Sequence, residues 1–231
     1  MHKKLIVAHA GGRSQAPPNT LDAFAHAIAL GADMIEFDVR QTSDRELVVH
    51  HDDAIGNRLL ARMEFAECAR CAAAAGYRLP RLGEVLDLAI GRVKLDIELK
   101  ETGFEEAVLG SLIDRRFRPL DFVITSFEQP AVTRVKVASA DVRVGLLVYD
   151  VTGLEALDRF RKSGADFLAP DYQLLDEATC RQAASLHVQL LPWTVNDPAV
   201  TRNLLREPAV IGVITDATAT ALEIRDAMAG G

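Results

Sequence analysis

The chain has 231 residues, 49% of them hydrophobic and 26% charged, and a formal net charge of −7. That length suits one sizeable core, since α/β barrels often exceed 200 residues as one unit. The acidic balance excludes a nucleic-acid partner bound through a broad basic surface, so an anionic substrate must be met locally, by a metal or a few placed cations.

In chain order, short apolar or β-branched runs fall at residues 5–9, 33–39, 93–100, 121–127, 142–148, 165–170, 188–193 and 211–216. Helical periodicity fills the intervals, at 20–30, 82–90, 104–115, 130–138, 154–163, 176–186, 197–205 and 218–228. Eight strands alternating with eight helices predict a single (β/α)8 barrel, one domain over residues 1–231. A doubly wound sheet is disfavoured because no G-x-G-x-x-G follows the first strand. The rhythm breaks once, after strand 2, where residues 42–49 predict a turn and an extra strand and residues 61–75 a helical insert.

Cys68, Cys71 and Cys180 make no disulfide framework, and the C-x-x-C at Cys68 and Cys71 lacks a second ligand pair, so two thiols one helical turn apart are expected. No stretch approaches a membrane span, and the start is too short for a secretory segment, so a cytoplasmic protein is expected. Nothing in the pattern sets an oligomeric state.

The chemistry concentrates on two strands. Alternation along Asp33-Met34-Ile35-Glu36-Phe37-Asp38-Val39 puts Ile35, Phe37 and Val39 toward the helices and turns Glu36 and Asp38 into the lumen. Along Val93-Lys94-Leu95-Asp96-Ile97-Glu98-Leu99-Lys100 the inward row is Lys94, Asp96, Glu98 and Lys100. Carboxylates crowded in a lumen repel and are costly to bury bare. Glu36, Asp38 and Glu98 therefore make a candidate oxygen site for Mg²⁺ or Ca²⁺. The spacing leaves one alternative open: a salt-bridge layer with Lys94 and Lys100 balancing the acids. Asp96 lies one layer deeper, in a structural position.

His9 ends the first strand and His51 follows the extra one, so both belong at the barrel mouth, as a candidate general acid and general base. His50 should face away from His51. His2, His26 and His187 read as surface or packing residues.

Three stretches, Ala8-His9-Ala10-Gly11-Gly12, Ala16-Pro17-Pro18-Asn19-Thr20 and Gly31-Ala32-Asp33-Met34-Ile35-Glu36-Phe37-Asp38, resemble the opening of the glycerophosphodiester phosphodiesterases. The similarity continues through His51-Asp52, Leu79-Pro80-Arg81-Leu82 and Asp96-Ile97-Glu98-Leu99-Lys100 to Trp193-Thr194-Val195-Asn196 and Thr215-Asp216. It implies a barrel that hydrolyses glycerophosphodiesters to glycerol 3-phosphate and an alcohol. It also implies His9 and His51 as the acid/base pair, Glu36, Asp38 and Glu98 as ligands of a divalent cation, and Lys100 on the phosphate. Trp193 would pack against the glycerol or the leaving group. Two departures stand out: Ala10 replaces the family's usual Arg, and Pro18 its usual Glu. Arg13, three residues after Ala10, is read either as a compensating phosphate contact or as a plain surface residue, whereas Arg58 is one position out of register and carries no role over. The short insert implies a small cap or none. Two rival readings remain: a barrel that binds a phosphorylated ligand with little turnover, or the same chemistry on lysophospholipids or sugar phosphodiesters.

Overall fold

The computed structural model describes residues 3–12 and 16–229. Strand β1 (Leu5–Ala8) leads through the His9–Gly11 turn to helix α1 (Leu21–Leu30), and β2 (Met34–Gln41) follows. The excursion after β2 contains β3 (Leu47–Val49), a two-stranded ribbon β4 (Ala54–Ile55) and β5 (Arg58–Leu59), and helix α2 (Phe65–Ala74). Regular alternation then resumes with α3 (Leu82–Ala89), β6 (Lys94–Leu99), α4 (Glu105–Asp114), β7 (Phe122–Ser126), α5 (Gln129–Ala138), β8 (Arg143–Val148), α6 (Gly153–Ser163) and β9 (Phe167–Pro170). Helices α7 (Glu177–Ser185) and α8 (Pro198–Arg206), strand β10 (Gly212–Thr215) and helix α9 (Thr218–Ala229) complete the order.

The parallel sheet runs β10-β1-β2-β6-β7-β8-β9, with β3 antiparallel on β2. Residues 188–193 provide the remaining stave. They pair with β9 through single parallel bridges, Leu168 to Leu190 and Asp171 to Trp193, and with the approach to β10 through Leu190 and Val210. Their backbone bonds alternate between the two sides: Leu191 N–H donates to Leu168 O at 2.9 Å, and Ile211 N–H to Leu190 O at 2.8 Å. Pro192 has no N–H to give, which interrupts the ladder where the sequence predicts a continuous strand. The fold is nonetheless the (β/α)8 barrel expected, with the insert after its second strand.

Alternation along the strands builds two apolar shells. The outer one, between sheet and helices, holds Ile35, Phe37, Val39, Leu95 and Ile97, all buried. Phe37 meets Phe24 of α1 edge to face at 5.6 Å, and burial of such a side chain contributes roughly 1.5–3 kcal/mol. The inner shell plugs the lumen with Val7, Met34, Leu147, Phe167, Ala169, Leu191 and Ile214. Gly145 makes room for that plug, because a Cβ there would sit 2.4 Å from the Phe167 ring. With the lumen filled from below, polar chemistry is confined to the C-terminal ends of the strands.

The insert helix is shorter than the sequence predicts and is preceded by the β4–β5 ribbon. It packs on its own cluster of Val48, Ile55, Leu60, Met63, Cys68, Ala72 and Leu79. Cys68 is buried in that cluster, Cys71 is partly exposed beside it, and all three cysteines are free thiols. No helix among the described residues is long and apolar enough to cross a membrane.

Candidate active site

The inward row of each strand ends at the mouth, and there the carboxylates converge. The β2–β6 register sets Glu36 beside Asp96 and Asp38 beside Glu98. Oxygens of Glu36, Asp38 and Glu98 lie within 4.8 Å of one another, and all three residues are buried. This is the constellation the alternation predicts. Lys94 stands apart from it: at the opposite end of β6 it is exposed to solvent. The salt-bridge layer thus loses one of its two cations, and the reason is positional, since Lys94 opens β6 beside Met34 of the lumen plug, at the end away from the mouth.

Lys100 sits just beyond β6, its Nζ 2.6 Å from Glu98 Oε1 and 3.3 Å from Asp38 Oδ1. For Lys100, burial works to lower the pKa, but Glu98 and Asp38 outweigh it and the net shift is upward. One ammonium does not balance the cluster. Burial first, then Asp38, Glu98 and Asp96, push Glu36 well above the usual carboxylate range, although the Ala10 N–H pulls the other way. Glu98 is pushed up to about 7 by burial and Asp38, against the pull of Lys100. One layer down, burial takes Asp96 to about 7 as well. Its Oδ1 accepts from Thr125 Oγ1 at 2.7 Å, while Oδ2 has no hydrogen-bond partner among the described residues. Hard oxygen donors, close spacing and surplus negative charge are what a Mg²⁺ or Ca²⁺ site requires, so the residues present fit such an ion.

Backbone and amide donors hold the acids in place. Glu36 Oε2 accepts from the Ala10 N–H at 2.8 Å, and Asp38 Oδ2 accepts from Asn19 Nδ2 at 2.7 Å. Ala10 departs from the family's usual Arg, yet its contact with the cluster is made by the main chain, which any non-proline residue supplies. Pro18 is exposed in the turn before Asn19, where it offers neither a carboxylate nor a backbone N–H. Arg13 lies outside the described residues.

His9 Nδ1 lies 2.7 Å from Asp216 Oδ1, and Asp216 is itself gripped by Asn196. His51 stands on the loop after β3, with Nδ1 2.8 Å from Asp52 Oδ1. Its backbone is pinned from both sides: Arg40 Nε donates to His51 O at 2.9 Å, and the neighbouring His50 N–H donates to Asp38 O at 3.0 Å. The His50 ring turns away and stacks on Tyr77 at 5.9 Å. Arg58 pairs with Glu67 in the insert, away from the acids.

A cavity of about 260 Å³ joins these groups, lined by His9, Glu36, Asp38, His51, Glu98 and Lys100 on one side and by Phe127, Tyr149 and Trp193 on the other. Every candidate site residue the sequence singles out, Arg13 excepted, faces this one cavity. Asn19, Asp216 and Tyr149 were not among them. Continued to the strand ends, the alternation rule reaches Phe127 and Tyr149 on the inward row.

The chain's similarities agree with this geometry. A model of the glycerophosphoryl diester phosphodiesterase family matches residues 9–220. The chain belongs to that family. A glycerophosphodiester phosphodiesterase of Caldanaerobacter subterraneus is 30% identical, over 96% of this chain and 98% of its own. A solved glycerophosphodiester phosphodiesterase from Thermotoga maritima superposes with a TM-score of 0.81 at 25% identity, covering 97% of this chain and 99% of that one. An Oleispira antarctica phosphodiesterase, solved with its product sn-glycerol 3-phosphate, has a TM-score of 0.82 at 21% identity and covers 96% of each chain. Membership makes the protein a phosphoric diester hydrolase.

Proposed function

We propose that the protein hydrolyses glycerophosphodiesters to glycerol 3-phosphate and an alcohol, assisted by a divalent cation held by Glu36, Asp38 and Glu98. The observation that carries this reading is the convergence of three buried carboxylates, two histidines and one lysine on a single cavity. The glycerol 3-phosphate complex of the Oleispira antarctica relative supports the product assignment. When bound, a divalent cation supplies Lewis acidity toward the phosphate and acidifies the attacking hydroxyl, whether water or the glycerol 2-hydroxyl. His9 and His51 share the proton work. One takes the proton of the attacking hydroxyl as its oxygen bonds to phosphorus, and the other gives a proton to the alkoxide as the P–O bond breaks. Lys100 offsets charge on the phosphate, and Trp193 packs against an organic arm of the substrate. Free thiols and the lack of a spanning helix among the described residues fit work in the cytoplasm.

A barrel that merely binds a phosphorylated ligand has no need of both histidines around the acids, so turnover is the better reading. The test is release of glycerol 3-phosphate from a panel of glycerophosphodiesters with Mg²⁺, with Ca²⁺ and with chelator. His51→Ala and Glu98→Ala should each lower turnover by about 10²-fold or more. Release that survives chelation and both substitutions would overturn the assignment.

A further inference from the structure

We propose that the aromatic half of the mouth, Phe127, Tyr149 and Trp193, receives the trimethylammonium group of a choline ester, so that the site prefers glycerophosphocholine among its substrates. This rests on the proposed function and adds to it the identity of the alcohol. The mouth is divided by strand. The histidines, acids and lysine that can meet a glycerol hydroxyl or a phosphate come from the ends of β1, β2, β3 and β6, whereas the inward row of β7, β8 and residues 188–193 ends in rings, with Thr125 and Thr194 the uncharged polar residues on that side. The Phe127 ring lies 5.3 Å from Tyr149 and 5.4 Å from Trp193, at 87° to each, so Phe127 stacks face on face with neither. Tyr149 is 57% exposed, a large aromatic surface left open at the edge of the cavity.

Ring faces attract cations, and Lys100 Nζ already stands 5.8 Å from the Phe127 centroid. The kind of cation follows from hydrogen bonding. Phe127 has no polar atom, and the Trp193 indole N–H is committed to Ala169 O at 2.8 Å. A primary ammonium drawn against this wall gives up water from three N–H groups and finds one ring oxygen, the Tyr149 hydroxyl, to replace it. A quaternary ammonium has no N–H to satisfy, and its methyl groups bury against the rings and the apolar side chains of Leu147 and Ile214. A neutral glycerol head gains no charge term and meets the Tyr149 hydroxyl as its one ring partner. Tyr149 is therefore a specificity-determining residue, set where the alcohol departs.

Trp193 is the chain's only tryptophan, so its emission reports this wall directly. Titrating the full-length protein with choline chloride should give a saturable change in emission that ethanolamine does not give. Tyr149→Ala should weaken it several-fold while Tyr149→Phe retains it. In turnover, kcat/KM for glycerophosphocholine should exceed that for glycerophosphoethanolamine by about tenfold, a ratio that falls toward one in Tyr149→Ala. Equal responses to the two amines, no saturable response, or a Tyr149→Ala variant with undiminished preference would each overturn the proposal. If no glycerophosphodiester is turned over, the proposed function fails, and the choline titration still decides for or against the cage.

Discussion

His9 and Asp216 meet across the seam between β1 and β10, with Nδ1 and Oδ1 2.7 Å apart. Asn196 fixes the acid from the far side: its Nδ2 donates to Asp216 Oδ2 at 2.8 Å, and its Oδ1 accepts the Asp216 N–H at 2.9 Å. A carboxylate on Nδ1 selects the tautomer protonated there, and in the proposed reaction this leaves Nε2 to exchange a proton with substrate. Asp216→Asn keeps the shape and removes that selection. It should lower kcat on the order of 10²-fold while KM moves by only a few-fold. Steady-state kinetics on a folded variant check this, and a kcat within threefold of wild type would remove Asp216 from the scheme.

Asn19 has the same relation to Asp38. It is buried, with φ of 59°, and both polar atoms of its side chain engage Asp38. Asn19→Ala loses those bonds and places a Cβ residue without local hydrogen bonding in the left-handed region. Stability should fall by about 2–4 kcal/mol. Asn19→Gly relieves the backbone but equally lacks the contact with Asp38, so stability should fall by less. Urea unfolding of the pair separates the two contributions. A common loss in both would assign the whole effect to the hydrogen bonds.

The raised carboxylates make stability depend on pH in a stated direction. Glu98 binds its proton up to about 7 in the folded protein, because of burial and Asp38, but gives it up near the ordinary Glu value when unfolded. Its contribution is thus complete below the unfolded value and lost as pH rises through about 7. His50, lowered by burial, works in the opposite sense over part of that range. The three raised acids, Glu36, Asp96 and Glu98, outnumber it. Metal-free protein should therefore melt lower at about pH 8 than at about pH 6. Saturating Mg²⁺ or Ca²⁺ should raise the melting temperature more at the higher pH, since a dication favours the ionised acids. Melting curves in chelator, with Glu98→Gln as control, measure the slope. A flat profile in chelator would mean that the cluster is not strained by its own charge.

How much of this was legible in the sequence differs by element. Glu36, Asp38 and Glu98 could be placed because a period of two leaves no choice about which face they share once Phe37 and Ile97 are known to be core. Lys94 shows the limit of that rule: it shares the inward row but opens β6 beside Met34 of the plug, exposed to solvent, and depth along a strand is not written in its alternation. The pairing of His9 with Asp216 joins opposite ends of the chain, and only barrel closure brings them together. Residues 188–193 read as a strand from their apolar pattern, but Pro192 decides how much ladder they can form. Ala10 looked like a loss from its side chain, whereas its contact with Glu36 is made by the main chain, which a sequence does not display.

Lys100 allows a last prediction in which two measurements move in opposite directions. Its Nζ occupies the space beside Glu98 and Asp38, so a dication held by those acids would compete with it for the same oxygens, while in the proposed reaction it serves the phosphate from the same position. Lys100→Met keeps most of the apolar stem and removes the charge. The acids then lose their ammonium, and Mg²⁺ or Ca²⁺ should bind several-fold more tightly, as measured by calorimetry. Turnover at saturating metal should nonetheless fall by about 10²–10³-fold, because nothing replaces the ammonium at the phosphate. Weaker metal binding in this variant would show Lys100 to be a scaffold that gathers the acids, and a turnover near wild type would show that the phosphate is neutralised elsewhere.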